Sequence, residues 1–298
     1  MARTDSLTNF LTDVSTAIKT KKGDDTPIKA SDFDTEIANL PSGGGDTSEY
    51  NAVYDTTQTG KIGVNITKVK VWDTKGRTNF NEIFYGLTKL TEVPMLDTSD
   101  GTTFTNLYYN CEKVTSFPTL NTSKGTTFSG MYYGCKGAST FPTIDTSNGT
   151  LFREMYKNCS KMQVAPALNT SNGTNFNNMF SSCSSLTTVP TLDLGSAINV
   201  AGIIYSSVLT DLGGFKDLGK AYLTTQSANY SNYTLNLSSC AKLTEQSLIN
   251  VLNNLYDIAS LGVQTQKCTL GSTNLAKLTS EAGQQALANA QTKGWTVA

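Results

Sequence analysis

A period of 24 residues dominates the middle of the sequence. Between residues 80 and 194, several positions carry the same kind of side chain once in every 24 residues. These columns are Phe80, Phe104, Phe128, Phe152 and Phe176; Pro94, Pro118, Pro142, Pro166 and Pro190; Leu96, Leu120, Ile144, Leu168 and Leu192; Leu87, Cys111, Cys135, Cys159 and Cys183; and Gly101, Gly125, Gly149 and Gly173. Chance does not place so many columns in one register, so residues 80–194 are five copies of one structural unit.

Each copy predicts one coil of a stacked structure. Four apolar residues of the second copy have the spacing i, i+3, i+4 and i+7, which predicts one face of a short helical segment: Phe104, Leu107, Tyr108 and Cys111. Val114 and Phe117 then fall on a short extended stretch, which Pro118 ends because proline cannot donate to a strand ladder. One copy has too few apolar side chains to bury them alone, so the copies must stack with like over like.

The consensus of the copies, F-x-x-M-Y-x-x-C-x-x-L-x-x-x-P-x-L-[DN]-T-S-x-G-T, resembles the BspA-like leucine-rich repeats of bacterial surface and phage-encoded proteins. Residues 80–194 carry it throughout, and residues 209–219 resemble a diverged further coil. The resemblance implies an α/β fold, a leucine-rich-repeat solenoid with a short strand and a short helical segment in each coil. An N-terminal α-helical attachment module, argued below, precedes the solenoid in our expectation.

We expect six segments along the chain. They are a helical module at 1–40, a Gly-rich linker at 41–49, capping strands at 50–79, five repeats at 80–194, a diverged repeat at 195–232 and a strand-helix cap at 233–298. Alternation of Ile62, Val64 and Ile66 predicts a strand over 61–72. In the cap we predict helices over 245–257 and 280–293, the second with Gly294 as its C-cap, and strands over 266–270 and 295–297.

The N-terminal module has apolar residues at helical spacing. We assign attachment or oligomerisation to Leu7, Phe10, Leu11, Val14, Ile18, Phe33 and Ile37. Forty residues in two helices cannot bury enough apolar surface alone, so the module must pack on its own copies or on a larger assembly. Residues 7–37 are similar to the N-termini of many tailed-phage structural proteins. That resemblance implies contacts with other virion proteins through residues 1–40 and a homo-oligomer.

The composition argues against several classes of function. The chain has no histidine, which removes the usual general base and the commonest metal ligand, and we expect neither an enzyme nor a bound cofactor or metal. A net charge of −1 without a basic run argues against nucleic acid, and no apolar stretch approaches the length of a membrane span. The first ten residues lack the features of a signal peptide, so we expect synthesis in a host cytoplasm and localisation in a virion.

Two columns of potential ligands have structural interpretations. The cysteine column has none of the short spacings of a zinc site, so we expect reduced thiols packed in the core. A second column alternates acid and amide: Asp97, Asn121, Asp145, Asn169 and Asp193. We interpret it as a ladder of solvated turns in which these side chains cap backbone amides, with a calcium site as the alternative.

Three tyrosines are the candidate binding residues: Tyr85, Tyr109 and Tyr133. Each follows the buried ring of its copy by one residue, so the three are expected to emerge side by side. Stacked tyrosines suit sugar faces or a protein partner, because each offers rigid apolar area and a polar tip. The alternative is an exposed ladder that only covers the coil edge, and the column lapses to Lys157 and Ser181 in the later copies.

The leading hypothesis is a phage virion structural protein, docked on the particle by its N-terminus, whose solenoid binds a host-surface glycan or protein. The alternatives are a capsid decoration or head-fibre protein without a receptor role and a bacterial surface adhesin. A glycan-cleaving enzyme is a third alternative, which requires a cleft with paired carboxylates.

Overall fold

The computed structural model describes residues 52–54, 65–71, 74–223 and 234–298. The chain divides after Glu49, and every described residue lies in the second unit, Tyr50–Ala298. The seven residues assigned to attachment (Leu7, Phe10, Leu11, Val14, Ile18, Phe33 and Ile37) and the linker at 41–49 therefore lie outside the described residues.

Successive copies of the repeat pair in parallel through bridges between residues 24 positions apart, an interval that shortens to 23 where residues 188–193 pair with 211–216. One column of backbone bridges runs through five pairs: Asn79–Thr103, Thr103–Thr127, Thr127–Leu151, Leu151–Asn175 and Asn175–Asn199. Threonine side chains reinforce the register, since Oγ1 of Thr126 donates to the carbonyl of Thr102 at 3.1 Å, and Oγ1 of Thr150 to that of Thr126 at 3.0 Å. The copies are thus stacked with like residues over like.

The backbone of each stacked copy differs from the helical segment that the apolar spacing predicted. Residues 105–110 form consecutive turns, and Asn106 and Asn110 have φ of 56° and 57°. The amide of Asn106 donates to the carbonyl of Ser129 in the next copy at 2.9 Å, whereas that of Leu107 donates within its own copy to Phe104 at 3.3 Å. An α-helix cannot contain left-handed residues or send alternate amides outward. Hydrogen bonding between copies therefore replaces the helix.

The core consists of ladders of buried side chains. Phe80, Phe104, Phe128, Phe152 and Phe176 stack with neighbouring ring centroids 5.2 to 5.8 Å apart. A second ladder, of Phe84, Tyr108, Tyr132, Tyr156 and Phe180, has centroids 5.5 to 5.7 Å apart. A single copy cannot bury its two rings. Stacking of the copies buries the rings of both ladders and in this way supplies most of the hydrophobic stabilisation.

The stacking continues through the diverged repeat. The strands are short: β1 (Ala52–Tyr54), β2 (Val69–Val71), β3 (Phe180–Ser181), β4 (Thr188–Val189), β5 (Leu192–Asp193), β6 (Ile204–Tyr205), β7 (Asp211–Leu212) and β8 (Phe215–Lys216). β1 pairs with β2, β3 with β6, β4 with β7 and β5 with β8, all in parallel. Within the strand expected over 61–72, residues 69–71 form β2, and Asn65 lies in a turn.

The C-terminal segment has the strand-helix alternation expected of it. Three parallel strands pair in the order β11–β10–β9, where β9 is Leu235–Asn236, β10 is Gln266–Thr269 and β11 is Trp295–Val297. Its helices are α1 (Glu245–Asn254), α2 (Ser272–Leu275) and α3 (Glu281–Thr292). The short helix α2 was not predicted. A bridge between Leu218 and Leu255 connects this segment to the stack.

Local chemistry explains where the two longer helices begin. The Thr244 side chain accepts a hydrogen bond from the amide of Ser247, and Ser280 does the same for Gly283. Such N-caps satisfy amides that have no partner inside the helix. At the other end of α3 the C-cap is Lys293 rather than the predicted Gly294. Gly294 follows the cap with φ of 89°, a conformation in which glycine carries no steric penalty.

Candidate binding face

The three candidate tyrosines do emerge side by side. Each follows a buried ring of the second aromatic ladder and is itself half-buried. Ring centroids of Tyr85 and Tyr109 are 4.6 Å apart with 9° between the planes, and those of Tyr109 and Tyr133 are 4.2 Å apart with 8°. We call the positions 85, 109, 133, 157, 181 and 205, which follow one another at intervals of 24, the outer column.

This stacking changes what the tyrosines can offer to a ligand. Tyr109 has one ring face against Tyr85 and the other against Tyr133, so it presents an edge and a hydroxyl to solvent. Desolvation, followed by a hydrogen bond with Tyr133, raises the pKa of Tyr109 to about 12. Because the rings of the preceding and following copies cover both faces of Tyr109, a sugar or a protein partner would meet this residue at its edge and hydroxyl.

Lys157 takes the next position of the outer column. Its Nζ lies 5.7 Å from the centroid of Tyr133 and 2.9 Å from Oε1 of Glu154. The neighbouring Asn158 donates from Nδ2 to the hydroxyl of Tyr133 at 3.0 Å. Glu154 has φ of 56°, which is unusual for a glutamate and is imposed by the turn that every copy repeats. A polar, charged group therefore follows the three stacked rings.

The outer column continues to Tyr205, one copy beyond Ser181, which was the last position followed in the sequence. Ser181 in β3 pairs with Tyr205 in β6, so the tyrosine lies one copy beyond the serine. The side chain of Tyr205 is 63% exposed, whereas those of Tyr85, Tyr109 and Tyr133 are half-buried. Sequence reasoning missed it because the repeat diverges after residue 194. The interval of 24 from Ser181 to Tyr205 was the signal available.

Left-handed residues lie beside the outer column in two further columns. One contains Glu82, Asn106, Glu154 and Asn178 with Gly130 and Gly202, and the other contains Gly86, Asn110, Gly134, Asn158 and Ser182, all with positive φ. A Cβ placed on Gly130 or Gly134 would collide with the side-chain oxygen of the asparagine one copy earlier. Asparagine and glycine are the residues that tolerate this conformation best, which explains their presence here.

The cysteine column and the Asp/Asn column, which contain potential metal ligands, form hydrogen bonds within the protein. The thiol of Cys135 donates to the carbonyl of Tyr108 at 3.2 Å, and burial raises its pKa well above the ordinary value. Oδ1 of Asp145 accepts from the amide of Ser147 at 2.9 Å, which lowers the pKa of this carboxyl. Among the described residues, no group of three or more His, Cys, Asp or Glu side chains is placed to hold a metal ion. In the same part of the chain, no helix is both long and apolar enough to cross a membrane.

A protein-family model matches much of the repeat region. The family model described as "Mycoplasma protein of unknown function, DUF285" matches residues 50–163 and again residues 126–207. The two overlapping matches together cover more than half of the chain and contain the whole stack of repeats. They are consistent with a BspA-like repeat protein. No curated protein and no protein of solved structure matches.

Proposed function

The chain belongs to the DUF285 family, and we propose that it is a non-catalytic binding protein of a phage virion. Its repeats form a leucine-rich-repeat solenoid that projects from the particle and binds the host surface. Residues 1–40 dock the protein on other virion proteins and hold its copies together as a homo-oligomer.

The outer column is the observation that carries this proposal. Tyr85, Tyr109 and Tyr133 stand on turns that are hydrogen-bonded to the next copy through alternate amides, for example from Tyr108 to Met131 at 2.9 Å. Rigid aromatic side chains held in a row lose little conformational entropy when they contact a partner, so such rows are effective binding surfaces. The same scaffold extends to the exposed Tyr205.

The chemistry of the chain supports binding over catalysis. There is no histidine, and burial raises the pKa of Cys183 to about 12 and that of Cys268 to about 12. A thiol with so high a pKa is protonated at neutral pH and is a poor nucleophile. Carboxylates such as Asp145 are hydrogen-bonded into turns rather than facing one another across a cleft.

A bacterial surface adhesin is the second candidate, because the description of the matched family names Mycoplasma proteins. An adhesin of this kind uses the same outer column but is exposed on the surface of a cell. The two candidates differ in location and share the binding face, so they require separate measurements.

Location is tested by gold-labelled antibody against the full chain, applied to purified phage particles and to the surface of intact bacteria. Labelled particles support the virion proposal, labelled cells without labelled particles support the adhesin, and absence of label from both rejects the two.

Binding is tested with the purified full chain on host cells. Replacement of Tyr109 and Tyr133 by Ala is expected to weaken binding, whereas Met95→Ala, at an exposed residue outside the outer column, leaves it unchanged. A virion protein that binds no host fraction is a capsid decoration protein, and the receptor role is then excluded.

A further inference from the structure

We propose that the gap in the outer column at Ser181 is a binding site for one pyranose ring of a host-surface glycan. The proposal deepens the function given above and rests on it. The gap, which we call the notch, lies between Lys157 on one side and Tyr205 on the other, with Ser181 at its base.

The spacing of the outer column sets the width of the notch. Ser181 is bonded to both neighbouring copies: its carbonyl accepts from the amide of Asn158 at 2.9 Å, and its Cα pairs with that of Tyr205 in the parallel ladder. Lys157 and Tyr205 are therefore two strand spacings apart, roughly 10 Å. Rings in the filled part of the column stack 4.2 to 4.6 Å apart. A single six-membered ring therefore fits in the notch at about the spacing that separates neighbouring rings in the filled part of the column.

The two walls of the notch differ from the filled part of the column. Tyr109 has a neighbouring ring on each of its two faces. Tyr205, by contrast, is 63% exposed, because its neighbour on one side is the small side chain of Ser181, which leaves space beside the ring. On the opposite wall, the Lys157 ammonium is held by Glu154 at 2.9 Å and lies over the ring of Tyr133. The notch thus combines an accessible aromatic ring with an anchored ion pair.

The polar groups of the notch favour a sugar over an aromatic side chain. Ser181 places a hydroxyl at the base of the notch, and Lys157 and Glu154 are both about three-quarters covered, with 25% and 21% of their side chains exposed. A pyranose places C–H groups on the negative face of Tyr205 and hydroxyls at its rim, where the hydroxyl of Ser181 can bond to them. An aromatic ring of a protein would cover these polar groups without bonding to them, which costs free energy.

The test uses the full chain and isothermal titration calorimetry with tetrasaccharides of glucose, galactose and N-acetylglucosamine as probes. At least one probe is expected to bind. Tyr205→Ala weakens that binding by about tenfold, as loss of an aromatic stacking partner does. Ser181→Tyr fills the notch with a further ring of the column and abolishes binding. Met95→Ala is the control and leaves the affinity unchanged. The circular dichroism spectrum and thermal midpoint of each variant establish that it is folded.

Failure of this inference can be separated from failure of the proposed function by measuring host-cell binding in parallel. If Ser181→Tyr binds both cells and sugars like the original chain, the notch is not the site, although the protein remains a host-binding one. If Ser181→Tyr loses cell binding, no tetrasaccharide binds, and protease treatment of the cells also removes binding, the notch takes a protein side chain and the glycan assignment is wrong. If the original chain binds neither cells nor sugars, both proposals fall.

Discussion

The side-chain oxygen of Asn110 lies in the space that a Cβ on Gly134 would occupy. The two residues are 24 positions apart in adjacent copies, and both have positive φ, 57° for Asn110 and 69° for Gly134. The pairs Asn106 with Gly130 and Asn178 with Gly202 repeat this relationship. The side chain of Asn110 is thus seated in space that Gly134 leaves open, whereas Asn158 and Ser182, one and two copies later, carry side chains at positive φ.

Gly134→Ala is therefore expected to lower the free energy of unfolding by about 1 to 2 kcal/mol, from a strained φ together with displacement of the Asn110 amide. Gly86→Ala is the matched control, because Gly86 belongs to the same column with φ of 76° but has nothing within 4 Å of an added Cβ. It should cost only about 1 kcal/mol. Urea denaturation measures both. Adding Asn110→Gly to Gly134→Ala should recover part of the loss, and equal costs at Gly86 and Gly134 would contradict the steric explanation.

The buried hydroxyl of Tyr132 gives a prediction of the opposite sign. Among the described residues it has no hydrogen-bond partner, and the ladder that contains Tyr132 ends in Phe84 and Phe180, which lack a hydroxyl. Because an unpartnered buried polar group destabilises the folded state, Tyr132→Phe should leave the free energy of unfolding unchanged or raise it by about 1 kcal/mol.

Tyr133→Phe is the matched comparison for Tyr132→Phe. The Tyr133 hydroxyl accepts a hydrogen bond from Asn158, so its removal should lower the free energy of unfolding by about 1 kcal/mol. Chemical denaturation of the two variants side by side checks the pair of predictions. A loss at Tyr132 as large as that at Tyr133 would show that the buried hydroxyl has a partner in solution.

The turn column predicts how stability depends on pH. Hydrogen bonds from the backbone and side chain of Ser147 lower the pKa of Asp145 from 3.8. A depressed folded-state pKa means that the stabilisation is fully present above the unfolded pKa and is lost as pH falls through the folded pKa. Asp145→Asn, which copies the Asn121 turn, should therefore reduce the drop in thermal midpoint between about pH 7 and about pH 2.5.

The reverse exchange, Asn121→Asp, is the control for Asp145→Asn. Asn121 accepts from the amide of Ser123 at 3.2 Å, so an aspartate there can form the same turn and add a further acid-sensitive carboxyl. The drop in thermal midpoint on acidification should then increase. If neither exchange alters the drop, the Asx turns make no measurable contribution to the acid sensitivity of the fold.

The cysteines should be unreactive while the protein is folded. All six are buried and free, and burial raises the pKa of Cys183 to about 12. Because only the thiolate is alkylated at an appreciable rate, iodoacetamide at about pH 8 should leave the native chain unmodified and label every cysteine after unfolding in urea. Mass spectrometry counts the labels. Labelling of Cys135 before that of the others would mean that the stack opens in its middle.

The sequence predicted which side chains lie inside better than it predicted the backbone that puts them there. Phe104, Leu107, Tyr108 and Cys111 are all buried, as their spacing indicated. The same spacing fits both a helix and the observed turns, and the choice depends on hydrogen bonds from the amides of Asn106 and Asn110 to carbonyls of the next copy, 23 positions further along the chain. Asparagine at these two positions is compatible with positive φ, but Glu82 and Glu154 adopt it as well and have no such preference.

The candidate site was predicted in part. Position within the copy was sufficient to place Tyr85, Tyr109 and Tyr133 on the outside in one row. It could not show that the interval between copies, with centroids 4.2 to 4.6 Å apart, leaves no room between the rings. Tyr205 was missed because its copy has lost most of the consensus residues, although strand pairing keeps it in the 24-residue register.

The seating of Asn110 against Gly134 also restricts how the gene can change in length. Unequal crossing-over between identical repeats gains or loses whole copies, and loss of residues 127–150 would keep phenylalanine next to phenylalanine and cysteine next to cysteine. It would, however, bring Asn110 against Asn158, so the Asn110 amide would have to turn away from the space that Gly134 leaves open, as Asn158 does beside Ser182. Each change in copy number therefore requires an adjustment in this surface column, although like side chains still meet in the interior.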